Sequence, residues 1–176
     1  MRSHLYLTIS AILAALVVPH VSRAEGIGVI APLSGPMAIL GQQIAAGARS
    51  AVTAVGRTPP LVEADTRCDA EGGREAARRM VAATVDVVVG FLCSAELEAA
   101  LPILAEGNIP AVDVGVRSDR LLERRSRENW LLWRIAPGTN AEAEAIAHFV
   151  RENWRGEPFA IIEDGSSYGR DLADSV

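Results

Sequence analysis

The segment of this sequence best suited to chemistry is Gly90 to Ser94, where an apolar run ends and a helical pattern begins at once. Ligands of open α/β sheets bind beyond the carboxyl ends of the strands, and the first turn of a helix offers free N–H groups and a partial positive charge. Ser94 would add a hydroxyl, and this combination suits a carboxylate. A serine at this place is as typical of a plain helix N-cap, so both interpretations stay open.

Two other patterns resemble catalytic or cofactor motifs but lack the necessary context. Gly26 to Ala31 matches the dinucleotide fingerprint GxGxxG/A, which must follow a strand and open a helix, whereas here it forms the strand itself. Asp164 and Tyr168 have acid–base side chains, yet no nucleophile or second carboxylate stands at a spacing that completes a catalytic group. We therefore expect a protein that is not an enzyme and that uses no cofactor and no metal.

Composition excludes several functional classes. All 17 basic residues are arginine, so there is no lysine for a P-loop, a Schiff base or an SxxK nucleophile. Only one of the 3 histidines, His148, lies beyond the amino-terminal leader, which removes most triad hydrolases and multi-histidine metal sites. His148 falls off the apolar face of its predicted helix, which indicates a surface position. The formal net charge of −5 argues against general nucleic-acid binding.

The amino terminus has the three parts of a secretion signal. Arg2 supplies a positive charge, Leu5 to Val18 is apolar, and Ser22-Arg23-Ala24 places small residues where a signal peptidase reads them. A membrane anchor is the alternative, but Pro19 interrupts the run, which is shorter than the roughly 20 residues that span a bilayer. We expect a signal peptide over residues 1–24, cleaved after Ala24, and a periplasmic product.

An oxidising compartment bears on the two cysteines, Cys68 and Cys93. Disulfides form and persist there, so a disulfide is favoured over a metal pair.

The segment from Val116 to Asn129 contains five arginines among acidic residues and is interpreted as a loop with one short helical turn. Its arginines form either a basic patch for an acidic partner or, as the interspersed acids favour, a solvated face.

Along the rest of the chain, short apolar runs alternate with segments of helical period, which is typical of a doubly wound parallel α/β sheet. Asp69 is placed to cap the second helix, and Gly47 to let the first helix approach the sheet closely. The predicted strands are 27–31, 61–64, 85–90, 110–113, 130–135 and 159–163, and the predicted helices are 40–55, 70–84, 95–106, 141–154 and one that begins at Tyr168.

Four segments cover nearly all of the chain beyond the leader: IGVIAPLSGPMAILGQQIAAGARSAV from Ile27, ADTRCDAEGGREAARRMV from Ala64, VDVVVGFLCSAELEAALPILAEGNIPAV from Val85 and FAIIEDGSSYGRDLADSV from Phe159. Together they resemble the type I periplasmic solute-binding proteins of ABC transporters, in the leucine/isoleucine/valine-binding branch. The two cysteines resemble that family's disulfide. The resemblance implies two lobes with a Rossmann-like sheet, which trap a small solute and deliver it to a membrane permease without chemistry.

The resemblance also implies ligand-binding positions. Ser94 matches a serine that holds the carboxylate of the ligand, Gly115 matches a main-chain contact, and Tyr168 matches a tyrosine of the second lobe. Two positions depart from the family: Leu40 falls where an aromatic side chain is common, and Arg117 falls where a threonine binds both ammonium and carboxylate.

The departure at Arg117 has two interpretations. Arginine accepts no hydrogen bond and repels an ammonium group, so an inward Arg117 predicts a solute that is an acid without an α-ammonium group. An outward Arg117 joins the solvated loop. Glu96, in the first turn after Ser94, would neutralise Arg117 across the mouth of the cleft if the two side chains met.

Family members are much longer than this chain. Residues 25–136 correspond to the N-terminal lobe and residues 137–176 to the start of a second lobe that is incomplete. Three functions stay open on the sequence alone. They are the binding component of a transporter for branched-chain amino acids or related small carboxylates, a periplasmic sensing module of the same fold, and a truncated remnant without a ligand.

Overall fold

The computed structural model describes residues 26–56 and 60–176, so the expected signal peptide lies outside the described residues. The strands in these ranges are β1 (Ile27–Ala31), β2 (Leu61–Asp65), β3 (Val87–Gly90), β4 (Ala111–Asp113) and β5 (Leu132–Arg134). The helices in the same ranges are α1 (Ala38–Ala54), α2 (Ala70–Ala83), α3 (Ser94–Glu106), α4 (Asp119–Arg124), α5 (Thr139–Asn153) and α6 (Ser167–Ser175).

The predicted α/β architecture is confirmed by a parallel sheet of 5 strands in the order β2-β1-β3-β4-β5. The chain moves from β1 to β2 on one side and then crosses back past β1 to β3 on the other. With this strand order, the general right-handedness of parallel crossovers puts α2 and α3 on one face of the sheet and α1 on the opposite face, and α2 packs on α3. The direction in which successive strands are added to the sheet therefore reverses, and β1 and β3 flank the point of reversal.

The core lies between the sheet and the layer formed by α2 and α3. Val88 of the sheet and Met80, Leu97 and Leu101 of the helices are almost completely buried. Gly73 lets the two helices touch, because a Cβ there would overlap the backbone of α3 at Glu96. Asp69 caps α2 as predicted, accepting a hydrogen bond from the Gly72 N–H at 2.6 Å.

The close approach of α1 to the rest of the fold occurs at Gly41 and not at Gly47, so that prediction is wrong. A Cβ at Gly41 would overlap the carbonyl group of Pro32, whereas Gly47 is exposed with open space around it. Six residues at roughly 100° each place the two glycines about 120° apart around the helix axis. Helical spacing therefore identified the helix correctly, but the glycine contact lies on a different side of the helix from Gly47.

The strand predicted over 159–163 is also wrong: the structure has no strand there and leaves its apolar side chains in solvent. Phe159, Ile161 and Ile162 are 54%, 52% and 93% exposed. A strand exists only with a hydrogen-bonded neighbour, and no other part of residues 26–56 and 60–176 pairs with this segment.

His148 is exposed as expected, and its ring nitrogen Nδ1 lies 3.4 Å from Glu152 on the same helix.

No helix in the described part of the chain is both long enough and apolar enough to cross a membrane.

Candidate functional site

An open cleft of about 950 Å³ lies at the carboxyl ends of the strands. The loops after β1, β2, β3 and β4 form one side, and the segment from Asp164 into α6 forms the other. The cleft is at the switch point of the sheet, where ligands of open α/β folds bind. The structure brings all five sequence-predicted binding residues to this cleft: Leu40, Ser94, Gly115, Arg117 and Tyr168.

Asp65, the last residue of β2, joins the loops that follow β1 and β2. Its carboxylate accepts hydrogen bonds from the N–H groups of Leu33 at 2.7 Å and Arg67 at 3.0 Å, and from the Ser34 hydroxyl at 2.5 Å. Although burial acts to raise it, these hydrogen bonds hold the pKa of Asp65 below its usual value. The turn held in this way leads into α1, which brings the half-exposed Leu40 to the cleft.

The turn between β3 and α3 depends on unusual backbone angles. Gly90 has φ +135° and Phe91 has φ +66°. A Cβ at position 90 would overlap the carbonyl oxygen of Ile30, so glycine is required there. The buried Phe91 donates its N–H to that same oxygen at 2.7 Å, and the turn leads directly to Ser94 at the cleft.

Ser94 is not the helix cap that the sequence left open as one interpretation. Helix α3 begins at Ser94, and its N-cap is Cys93, whose N–H is bonded to the Glu96 side chain at 3.0 Å. Within the described residues, the Ser94 hydroxyl and the N–H groups of Ser94 and Ala95 have no hydrogen-bond acceptor. Both residues line the cleft, so this helix start leaves three donors available there.

Glu96 is completely buried beneath the same turn. Its Oε1 accepts hydrogen bonds from the N–H groups of Leu92 at 2.6 Å and Cys93 at 3.0 Å, and its Oε2 accepts one from the Thr66 hydroxyl. Burial raises the pKa of Glu96 despite these opposing bonds. The two side chains therefore do not meet: the Glu96 carboxylate binds two backbone N–H groups and the Thr66 hydroxyl inside the fold, so it does not neutralise Arg117.

Cys68 and Cys93 form a disulfide, with Cα atoms 5.4 Å apart, which confirms the predicted pairing. Arg67 and Cys68 adopt φ values of +55° and +64°, a region that side chains other than glycine rarely occupy. The disulfide joins this loop after β2 to the turn after β3, and both cysteines line the cleft. Two walls of the cleft are thus covalently linked.

Asp113, the last residue of β4, holds the cleft loop that contains Gly115, a role that sequence reasoning missed. It is buried, and its Oδ1 accepts hydrogen bonds from the N–H groups of Gly115 at 3.0 Å and Val116 at 2.7 Å. A Cβ at Gly115 would press on the carbonyl oxygen of Phe91 at 2.8 Å, so the two loops approach closely. An aspartate that ends a strand, with a glycine two residues later, is the signal that would have found it.

Asp113 should make the stability of the protein depend on pH. Burial raises the pKa of Asp113 from 3.8 to about 7, and hydrogen bonds from Val116 and Gly115 with the charge of Arg134 oppose this only in part. Because the folded protein binds this proton more tightly than the unfolded chain, the stabilisation is complete below the unfolded pKa and is lost as pH rises through the folded pKa.

We expect the free energy of unfolding to fall by about 2 kcal/mol between about pH 5 and pH 8, as measured by urea denaturation. Asp113→Asn should remove most of this slope, and the remainder belongs to Glu96, whose pKa is also raised by burial. Carboxyl groups with a lowered pKa, such as Asp65, lose their protons below this range. Equal slopes in the wild type and the variant would contradict the prediction.

Arg117 faces the cleft, as the inward interpretation predicts, but it is already paired with an acid. Its Nη1 lies 3.0 Å from Oε2 of Glu142, and the Tyr168 hydroxyl donates to the same oxygen at 2.9 Å. The hydrogen bond and charge of Glu142 raise the pKa of Arg117 above its ordinary value. Burial and the same carboxylate raise the pKa of Tyr168. Glu142, in the first turn of α5, carried no signal in the sequence.

Two further arginines of the segment after β4 are also paired with an acid. Arg120 and Arg124 both contact Glu98, at 3.1 and 2.6 Å, and the Arg124 guanidinium lies 4.9 Å from the ring centre of Trp130. The predicted short helical turn is α4. Three or more His, Cys, Asp or Glu side chains do not come together as a metal site anywhere in the described ranges.

Comparison with known proteins agrees with this geometry. Residues 26–176 match the family model described as periplasmic binding protein. The Leu/Ile/Val-binding protein homolog 3 of Brucella melitensis is 31% identical over 156 residues, which are 85% of this chain and 42% of that protein. The chain therefore spans less than half the length of this relative.

Two solved structures share the fold. One is a solute-binding protein of an ABC transporter from R. palustris in complex with 4-hydroxybenzoate, with a TM-score of 0.74, 20% identity and coverage of 86% of this chain and 42% of that one. The other is a branched-chain amino acid transporter substrate-binding protein from Streptococcus pneumoniae in complex with isoleucine, with a TM-score of 0.73, 19% identity and coverage of 87% and 45%. With a family model matching all of residues 26–176 and a cleft at the switch point of the sheet, the chain belongs to the periplasmic binding protein family.

Proposed function

We propose that the protein is the solute-binding component of an ABC transporter, which binds a small carboxylate in the cleft without catalysis. The observation that carries the proposal is the start of α3, where three hydrogen-bond donors at the cleft have no acceptor within the described residues. A carboxylate satisfies such donors and is favoured by the helix dipole. The two structural relatives were solved with isoleucine and 4-hydroxybenzoate, which share a carboxyl group.

In this proposal the remaining cleft residues contact different parts of the ligand. Leu40 packs against its apolar part, and Tyr168 contacts it from the opposite side of the cleft. Because the Gly115 N–H is already bonded to Asp113, Gly115 has only its carbonyl oxygen left, which accepts a hydrogen bond from a donor group of the ligand such as an ammonium. Residues 25–136 act as the first lobe and 137–176 as the start of the second. The periplasm is the proposed location, and a membrane permease the proposed partner.

Titration calorimetry against leucine, isoleucine, benzoate and 4-hydroxybenzoate, with benzamide as an uncharged analogue, tests the proposal. We expect at least one carboxylate to bind and benzamide to bind more weakly than benzoate. Ser94→Ala should cost about 1 to 3 kcal/mol of binding free energy, because it removes a donor to a charged group.

Ser126→Ala, at an exposed position outside the cleft, is the matched control and should leave binding unchanged. If Ser94→Ala bound the same carboxylate as tightly as this control, Ser94 would have no role in recognition. If benzamide matched benzoate, the cleft would not select for a carboxylate at all.

A further inference from the structure

The ion pair between Arg117 and Glu142 joins two parts of the cleft that are distant in sequence. Arg117 belongs to the loop after β4, Glu142 to the first turn of α5, and Tyr168 to the first turn of α6. A single carboxylate oxygen of Glu142 receives both the Arg117 guanidinium, at 3.0 Å, and the Tyr168 hydroxyl, at 2.9 Å. The three side chains therefore form one cluster at the edge of the cleft.

The cluster changes the electrostatic consequence of placing an arginine here. A lone guanidinium in the cleft would repel a ligand ammonium group and would pair bidentately with a second carboxylate. With Glu142 as counter-ion, the formal charge of the pair is zero. Arg117 retains further N–H groups and Glu142 retains a second oxygen, so the cluster offers donors and acceptors without net charge.

The ion pair between Arg117 and Glu142 is partly exposed, so a ligand in the cleft can reach it. The Arg117 and Glu142 side chains are 43% and 27% exposed, so neither is sealed inside the fold. At Arg117, a second carboxylate of a ligand would have to displace Glu142 or lie beside its negative charge. A ligand whose far end is neutral, or carries an ammonium group, meets no such competition.

We propose that Glu142 determines the ligand class of the cleft, admitting monocarboxylates, including α-amino acids, and rejecting dicarboxylates. The inference rests on the proposed function, since it assumes that the first carboxylate of the ligand occupies the donors at the start of α3. Glu142 acts as the internal carboxylate that occupies Arg117. Its removal should therefore turn Arg117 into a site for the second carboxylate of a ligand.

Calorimetry with benzoate, terephthalate and leucine on the full chain tests this in the wild type, Glu142→Gln and Glu144→Gln. Glu144 is the matched control: it lies on the same helix, is exposed and forms no ion pair within the described residues. We expect Glu142→Gln to bind terephthalate about tenfold more tightly than the wild type, with benzoate changed less than about threefold. Glu144→Gln should behave as the wild type.

A second measurement reports on Arg117 without a ligand. Modification of Arg117 by phenylglyoxal, followed by mass spectrometry, should be several-fold faster in Glu142→Gln than in the wild type and in Glu144→Gln. An unchanged ratio of terephthalate to benzoate affinity, or an unchanged rate of modification, would overturn the inference while leaving the proposed function standing. Failure of every variant to bind any of the carboxylates would overturn the proposed function, and the ligand class with it.

Discussion

Glu96→Ala should destabilise the protein by about 3 to 4 kcal/mol, because it leaves buried polar groups without a partner. The Glu96 carboxylate is completely buried and receives the N–H groups of Leu92 and Cys93 and the hydroxyl of Thr66. Truncation removes all three bonds and leaves a cavity between the loop after β2 and the turn after β3. Urea denaturation with a two-state analysis measures the loss.

Two variants separate the lost hydrogen bonds from other effects of the substitution. Glu96→Gln retains an acceptor for the Leu92 and Cys93 N–H groups and should cost much less than Glu96→Ala. Glu106→Ala, at the exposed end of the same helix, should change stability by less than about 0.5 kcal/mol. A loss in Glu96→Ala no larger than in Glu106→Ala would show that the turn does not depend on this carboxylate.

Reduction of the Cys68–Cys93 disulfide should cost a similar amount. The bond closes a loop with a sequence separation of 25, for which loop-closure entropy in the unfolded chain amounts to about 3 to 4 kcal/mol. The loop after β2 and the turn after β3 both contain residues at positive φ, including Cys68 at +64° and Phe91 at +66°. The disulfide therefore keeps these two segments in their conformations, side by side at the cleft.

Thiol titration of unreduced, denatured protein should find no free thiol, and denaturation with and without reductant should show the loss in stability. In the double variant Cys68→Ser/Cys93→Ser the reductant should have no further effect, which controls for its action elsewhere. Two titratable thiols in the unreduced protein, or equal stability after reduction, would contradict the prediction.

The sheet was predictable from sequence because its strands and helices carry their own local patterns. Helix α3, for example, is marked by apolar spacing and by Gly107 at its end, and the observed Ser94–Glu106 differs from the predicted range by one residue. The segment 159–163 shows the limit of such patterns. Its apolar residues predict a strand, but a strand needs a neighbour, and pairing is a property of other parts of a chain.

The sequence indicated where the cleft lies, but not which charged side chains pair with each other or turn into the core there. The family resemblance and the strand ends pointed to Ser94, Gly115 and Tyr168, and the structure brings them to one cleft. Sequence reasoning could not pair Arg117 with Glu142, because residues from two separate elements meet only after the sheet has formed. It also could not tell that Glu96 turns into the core, since the first turn of a helix has both buried and exposed positions.

Amide chemical shifts of the ¹⁵N-labelled chain, followed by NMR while benzoate or leucine is added, test most directly that a carboxylate binds at the start of α3. The proposed function predicts saturable shifts of the Ser94 and Ala95 N–H signals, whose protons have no acceptor within the described residues, with smaller shifts at Gly115 and Tyr168. Shifts confined to residues outside the cleft, or none at saturating carboxylate, would contradict the account.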